Sequence, residues 1–314
     1  YKKLDLLDPA SIKVDLSFQL SSDSLNRGAV IILNRGKIMK KILLTTSALT
    51  LLAGAAAADV SVGGYGRLGV QNSGSTTSNY TRTRISFSAS AATDGGLSMS
   101  AWTRYQNTGS DATGVFSGPR LSISNGAMTL TTGNGAGAVG ANSGLWGCGA
   151  VMWGCADVVG DAWDWASTSS GGAGPNVVRL DMALGGASVS ISGGNSNDTE
   201  ASLSLPMGGG SVGIGFDANS ASDQTISVNY SGSMGGMPVG VRTSQSGGAT
   251  GYMANVTAPM GAGSVYVFAG KTISASNNYG LRYNQSLGGG ASMQAGVTSA
   301  GGTTTVGAGV AFGF

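Results

Sequence analysis

Residues 304–314 read TTVGAGVAFGF. Val306, Ala308, Val310, Phe312 and Phe314 share one face; Thr305, Gly307, Gly309, Ala311 and Gly313 share the other. Successive side chains of a strand point to opposite faces, so this is a strand with one apolar and one small-residue side. The same period recurs upstream. In 81–90, Thr83, Ile85, Phe87 and Ala89 oppose Arg82, Arg84, Ser86 and Ser88. Sixteen such runs lie near 60–70, 81–91, 96–106, 115–124, 127–132, 176–184, 187–193, 199–206, 210–217, 224–232, 238–243, 251–258, 264–270, 278–286, 290–298 and 304–314.

The connections come in two kinds. One set is short and glycine-rich: TDGG at 93–96, NG at 125–126, GG at 185–186, MGGG at 207–210, MGG at 234–236, MGAG at 260–263 and LGGG at 287–290. Glycine supplies the positive φ that tight hairpin turns require. The other set is expected to be longer and polar, as at 71–80 and 107–114.

An even number of strands, short turns at one end, longer loops at the other and one apolar face per strand together predict a transmembrane antiparallel β-barrel of about 16 strands. Only helices and closed barrels satisfy every backbone group in lipid. A β-sandwich also alternates, but its apolar face is a packed core. A solenoid keeps a constant repeat without alternating turn lengths. Phe216, Tyr230, Tyr252, Tyr279, Tyr283 and Phe312 fall on apolar faces near strand ends, where interfacial girdles sit.

Composition narrows the function. Charged residues are 10 % of the chain, against about 25 % in average globular proteins. There is no histidine, which removes Ser-His-Asp, Cys-His and HExxH chemistry and argues against an enzyme.

Residues 1–58 carry eight Lys/Arg and four acids; residues 59–314 carry nine and eleven. No basic cluster survives in the second part, so a nucleic-acid partner is not expected. From Met39 the chain reads MKKILLTTSALTLLAGAAAADV. Lys40 and Lys41, the apolar run 42–52 and the Ala56-Ala57-Ala58 site form a secretory signal peptide over 39–58. The apolar run is too short to span a bilayer. Residues 1–38 read as upstream sequence outside the mature protein, and 59–314 as the barrel.

Three segments carry a family likeness. MKKILLTTSALTLLAGAAAADVSVGGYGRLGV resembles the signal and first strand of Gram-negative general porins of the alphaproteobacterial, sixteen-stranded type. GVAFGF, ending at Phe314, resembles the terminal strand of outer-membrane barrels. GVFSGPRLSISNGAMTLTTG at 114–133 resembles the strands that lead into the third extracellular loop. The resemblance implies a homotrimer in the outer membrane of a Gram-negative bacterium. It would contact lipid and lipopolysaccharide and pass ions and small hydrophilic solutes through a water-filled channel. It also implies that Phe312 and Phe314 form the carboxyl-terminal signal read by the barrel assembly machinery.

Parity places Arg67, Arg82, Arg84 and Arg104 on the face opposite the apolar one, with Arg120, Arg179, Arg242 and Arg282 likewise inward. Arginine on the lipid side costs about 2–4 kcal/mol at mid-membrane, so an inward assignment has an energetic reason. By resemblance, Arg67, Arg82, Arg84 and Arg104 form the basic wall of a constriction. The opposing acids, Asp157, Asp161 and Asp164, come from a third loop over 133–175 that folds into the lumen.

That loop holds LWGCGAVMWGCADVVGDAWDWA at 145–166. Cys148 and Cys155 have neither CxxC nor zinc-knuckle spacing, and no histidine could complete a metal site. In an exported protein the plain reading is a small structural disulfide. Trp146, Trp153, Trp163 and Trp165 would wedge the loop against the wall. The three acids offer oxygen ligands to Ca²⁺, but their spacing matches no EF-hand loop, and neither metal nor cofactor is predicted. Two further readings stay open: a substrate-specific channel, and a structural or adhesive barrel without a pore.

Overall fold

The computed structural model describes residues 58–109, 114–142, 172, 174–194, 199–218 and 224–314. The upstream segment, nearly all of the signal peptide, both cysteines, Asp157, Asp161, Asp164 and the four loop tryptophans lie outside the described residues. The strands are β1 (Asp59–Ser73), β2 (Thr76–Ala92), β3 (Ser98–Thr108), β4 (Val115–Phe116), β5 (Arg120–Ser124), β6 (Met128–Gly133), β7 (Val177–Leu184), β8 (Ala187–Gly193) and β9 (Thr199–Met207). They continue as β10 (Gly210–Ala218), β11 (Thr225–Met234), β12 (Met237–Ser246), β13 (Ala249–Met260), β14 (Gly263–Lys271), β15 (Asn277–Gly288), β16 (Ala291–Ala300) and β17 (Thr303–Gly313). One short helix, α1 (Ala138–Asn142), follows β6.

Each strand pairs antiparallel with its neighbours, and β17 returns to β1 over Tyr65↔Gly313 to Ser73↔Thr305. The sheet therefore closes and has no free edge, the condition for crossing lipid with strands. β4 and β5 both pair with β3 and share one place in the wall, so the seventeen segments make a barrel of sixteen wall strands. The expected single run at 115–124 is interrupted at Ser117–Gly118–Pro119 because proline cannot donate to the ladder.

The two faces separate as the alternation predicts. Val60, Val62, Leu68, Val70, Leu121, Ile191, Val241 and Leu281 are exposed on the outer surface, with Phe216, Tyr252, Tyr279 and Phe312 among the exposed aromatics. A continuous apolar exterior of this kind is a surface for lipid.

The expected polar loop at 71–80 is instead a hairpin. β1 runs to Ser73, Gly74 turns at φ 59°, and β2 starts at Thr76. Its arms carry polar residues on both faces, so the two-residue period vanishes while the strands continue. Paired positive-φ glycines also turn the chain at Gly247–Gly248 and Gly301–Gly302, so tight turns occur at both ends of the barrel.

The closing seam is shaped by glycine. The Gly64 N–H donates to the Phe314 carbonyl at 2.8 Å, and the Phe314 N–H donates to the Gly64 carbonyl at 3.1 Å. A Cβ on Gly64 would lie 2.8 Å from the Phe314 ring, and one on Gly66 would overlap the Phe312 ring. The two final aromatics thus occupy the space that side chains of β1 would have filled.

Candidate functional site

Register assembles the arginines. In the β1–β2 ladder Arg67 stands opposite Arg82, and Tyr65 opposite Arg84. In the next ladder Arg84 faces Gln106, Ser86 faces Arg104 and Arg82 faces Thr108. Trp102 then faces Arg120 across β3–β5. Five arginines therefore lie side by side on the inner face of β1, β2, β3 and β5. The four expected on this wall, Arg67, Arg82, Arg84 and Arg104, come together, and Arg120 extends the row.

Like charges this close repel, and aromatic rings are interleaved between them. Arg67 lies 4.6 Å and Arg84 5.1 Å from the Tyr65 ring centroid. Arg82 lies 5.9 Å from that of Tyr80. Trp102 serves Arg120 at 4.6 Å and Arg104 at 5.3 Å. On another part of the wall Arg282 lies over Tyr266 at 5.6 Å. Each ring offers the negative face of its quadrupole to a cation. Polar side chains fix the guanidiniums further. Arg84 Nε donates to Gln106 Oε1 at 2.8 Å, and Arg82 Nε to Thr108 Oγ1 at 3.3 Å.

Apart from Asp59 at the start of β1, the inward acids occupy a different arc. Asp181 on β7 is paired with Arg179 at 3.0 Å and accepts from Ser190 Oγ at 2.5 Å. Glu200 on β9 and Asp217 on β10 also point inward and are buried. By strand count, β9 and β10 lie across the barrel from β1 and β17. The wall is thus polarised, basic over β1–β5 and acidic over β9–β10.

The start of the long connection after β6 is held against this inner wall. Arg179 Nη1 donates to the Ala136 carbonyl at 2.6 Å. The Ala138 N–H donates to Ser192 Oγ at 2.8 Å, and the Val139 N–H donates to Glu200 Oε2 at 2.7 Å. Ser202 Oγ donates to the Ala138 carbonyl at 2.7 Å. Gly137 has no room for a Cβ because the Glu200 carboxylate lies against it. Near the far end of the connection, Gly172 is bonded to the break in the wall. Its N–H donates to the Phe116 carbonyl at 3.1 Å, and its carbonyl accepts from the Gly118 N–H at 2.6 Å. Glu200, Asp181 and α1 were not singled out from sequence. The inward parity of their strands was the signal available for the two acids.

Over residues 45–305 the sequence matches the Gram-negative porin family. The chain belongs to that family. As a porin it forms a channel in the outer membrane, and neither family nor fold is that of an enzyme. The porin fold is also found in solved structures. A triple mutant of the Rhodopseudomonas blastica porin superposes with a TM-score of 0.70 at 16 % identity, covering 82 % of this chain and 100 % of its own. A mutant of the same porin with two tryptophans introduced gives 0.68 at 18 % identity, with the same coverage. A comparison with curated protein sequences gave no match.

Proposed function

We propose that the porin is a homotrimeric diffusion channel in which ions and small hydrophilic solutes pass between a basic wall and an acidic loop. The wall is Arg67, Arg82, Arg84 and Arg104, extended by Arg120. The acids are Asp157, Asp161 and Asp164 of the connection over 133–175. The observation that carries this reading is the arginine row, continuous across four wall strands on the inner face. Guanidiniums fixed by ring stacking and hydrogen bonds act on a passing solute without reorganising, and a low-dielectric wall focuses their field.

A loop turned inward is supported by the uneven burial of the inner face. Glu200, Asp217, Arg242 and Ser244 are each 3 % exposed or less, whereas Arg67, Arg82, Arg84 and Arg120 remain half-buried and Arg104 alone of the row is buried. The start of the connection, α1, lies against β8, β9 and β10 and covers part of that arc. A Cys148–Cys155 disulfide would stiffen that connection, and its reduction would alter gating without abolishing any chemistry. Residues 39–58 direct export, and Phe312 with Phe314 present the assembly signal; lipid and lipopolysaccharide surround the exterior. The passage requires no metal or cofactor.

The test is single-channel recording in planar bilayers. Replacing Arg82 and Arg84 with Ser should raise conductance for cations relative to anions and shift the reversal potential in a salt gradient accordingly. Unchanged conductance and selectivity would remove the constriction assignment while leaving the channel itself.

A further inference from the structure

Beside the arginine row, towards the end of the barrel that carries the 93–96 and 125–126 turns, the inner wall opens into a recess of about 690 Å³. Its floor is one rung of the sheet: Asp59↔Ser90↔Ser100↔Ser122↔Thr131↔Arg179. The rung nearer the turns adds Ser98, Ser124, Thr129 and Asp181 in the same order. On the arginine side the edge is closed by Trp102 and Arg120.

The chemistry differs from that of the neighbouring wall. Two carboxylates, Asp59 and Asp181, face two guanidiniums, Arg120 and Arg179, so the lining has no formal net charge. An anion would meet the acids and a cation the arginines. Most of the remaining lining is hydroxyl. Each Ser or Thr hydroxyl donates once, accepts twice and rotates to suit its partner. Some already bond one another: Ser122 Oγ lies 3.0 Å from Thr131 Oγ1, and Thr129 Oγ1 donates to Ser124 Oγ at 2.9 Å. Ser90 and Ser100 are exposed to the lumen. A surface of mixed donors and acceptors without net charge matches a solute that is itself hydroxylated and neutral. The volume falls within the range of about 300–1,000 Å³ typical of small-molecule sites.

We infer that this recess is a subsite for a neutral polyhydroxylated solute, a mono- or disaccharide, which pauses on the hydroxyl rungs as it crosses the channel. The inference rests on the diffusion-channel reading above and assigns one solute class a preferred path along the β1–β7 side.

The experiment uses the full chain in planar bilayers with KCl, adding sucrose or, separately, inorganic phosphate. Sucrose should interrupt the current with saturable concentration dependence, and phosphate should not. The combined variant Ser100→Ala, Ser122→Ala, Thr131→Val should weaken sucrose block about tenfold relative to its own KCl current, as expected for several lost hydrogen bonds. Ser100→Ala alone, at an exposed position, should weaken block about threefold and covers failure of the combined variant to insert. Ser211→Ala, inward on β10 and outside the recess, should leave block as it is. Current that falls only with bulk conductivity, block by phosphate in place of sucrose, or equal block in the Ser100→Ala variant would overturn the subsite. Absence of any KCl channel would instead overturn the channel reading beneath it.

Discussion

Arg67 and Arg82 are directly opposed across the β1–β2 ladder, two cations on one inward face, and each stacks on an aromatic ring. Directly opposed like charges destabilise a sheet, and the cation–π contacts offset part of that cost. Tyr65 matters most because both Arg67 and Arg84 lie over it. Tyr65→Leu should lower barrel stability by about 1 kcal/mol. The penalty should shrink as salt screens the exposed repulsion. Urea midpoints measured at low and high KCl check both parts.

Gly137→Ala should push α1 off the wall, because its Cβ would overlap the Glu200 carboxylate. The Val139–Glu200 hydrogen bond is then lost and a buried carboxylate is left short of a donor. The expected cost is about 1–3 kcal/mol. The urea midpoint should fall, and open-channel current noise should rise as the start of the connection loosens.

The seam should tolerate no side chain at Gly64. Gly64→Val meets the Arg84 carbonyl and the Phe314 ring at once, and overpacking of this kind costs about 1–3 kcal/mol. Folded yield on refolding into detergent should drop, while Phe314→Ala in the same background should recover part of it.

Side-chain parity can be tested within β12 and β17. Val241 faces lipid at 52 % exposure, in the middle of its strand. Val241→Arg should cost about 2–4 kcal/mol if the site lies at the bilayer midplane. Thr305→Arg, inward on β17, should cost far less. Refolding into vesicles at graded urea concentrations measures the difference.

The order of all sixteen wall strands was legible because lipid imposes one apolar side chain in every two, a signal as plain at Val306–Phe312 as at Thr83–Ala89. Where lipid imposes nothing, the signal failed. Gln71–Ser73 and Thr76–Asn79 are strand, but polar on both faces, and they read as loop. Ser117–Pro119 breaks a wall strand that read as continuous. The arginine row was legible from parity, since Arg67, Arg82, Arg84 and Arg104 each lie opposite an apolar run. Its aromatic interleaving was not, because stacking Arg120 on Trp102 depends on register between strands. The five residues of α1 are too few to show a helical period, and their place against Glu200 depends on a contact 61 residues away in sequence.

The hydroxyl of Thr305 donates to that of Ser73 at 2.9 Å across 232 residues of chain. β1 therefore has no partner on one side until β17 has left the ribosome. A chain that lacks β17 keeps two raw borders, each able to template a neighbour. Such long-range pairing is also slow to form. The molecule must consequently be kept from committing to structure throughout its manufacture. Removing β17 should yield an aggregating ribbon rather than a smaller pore.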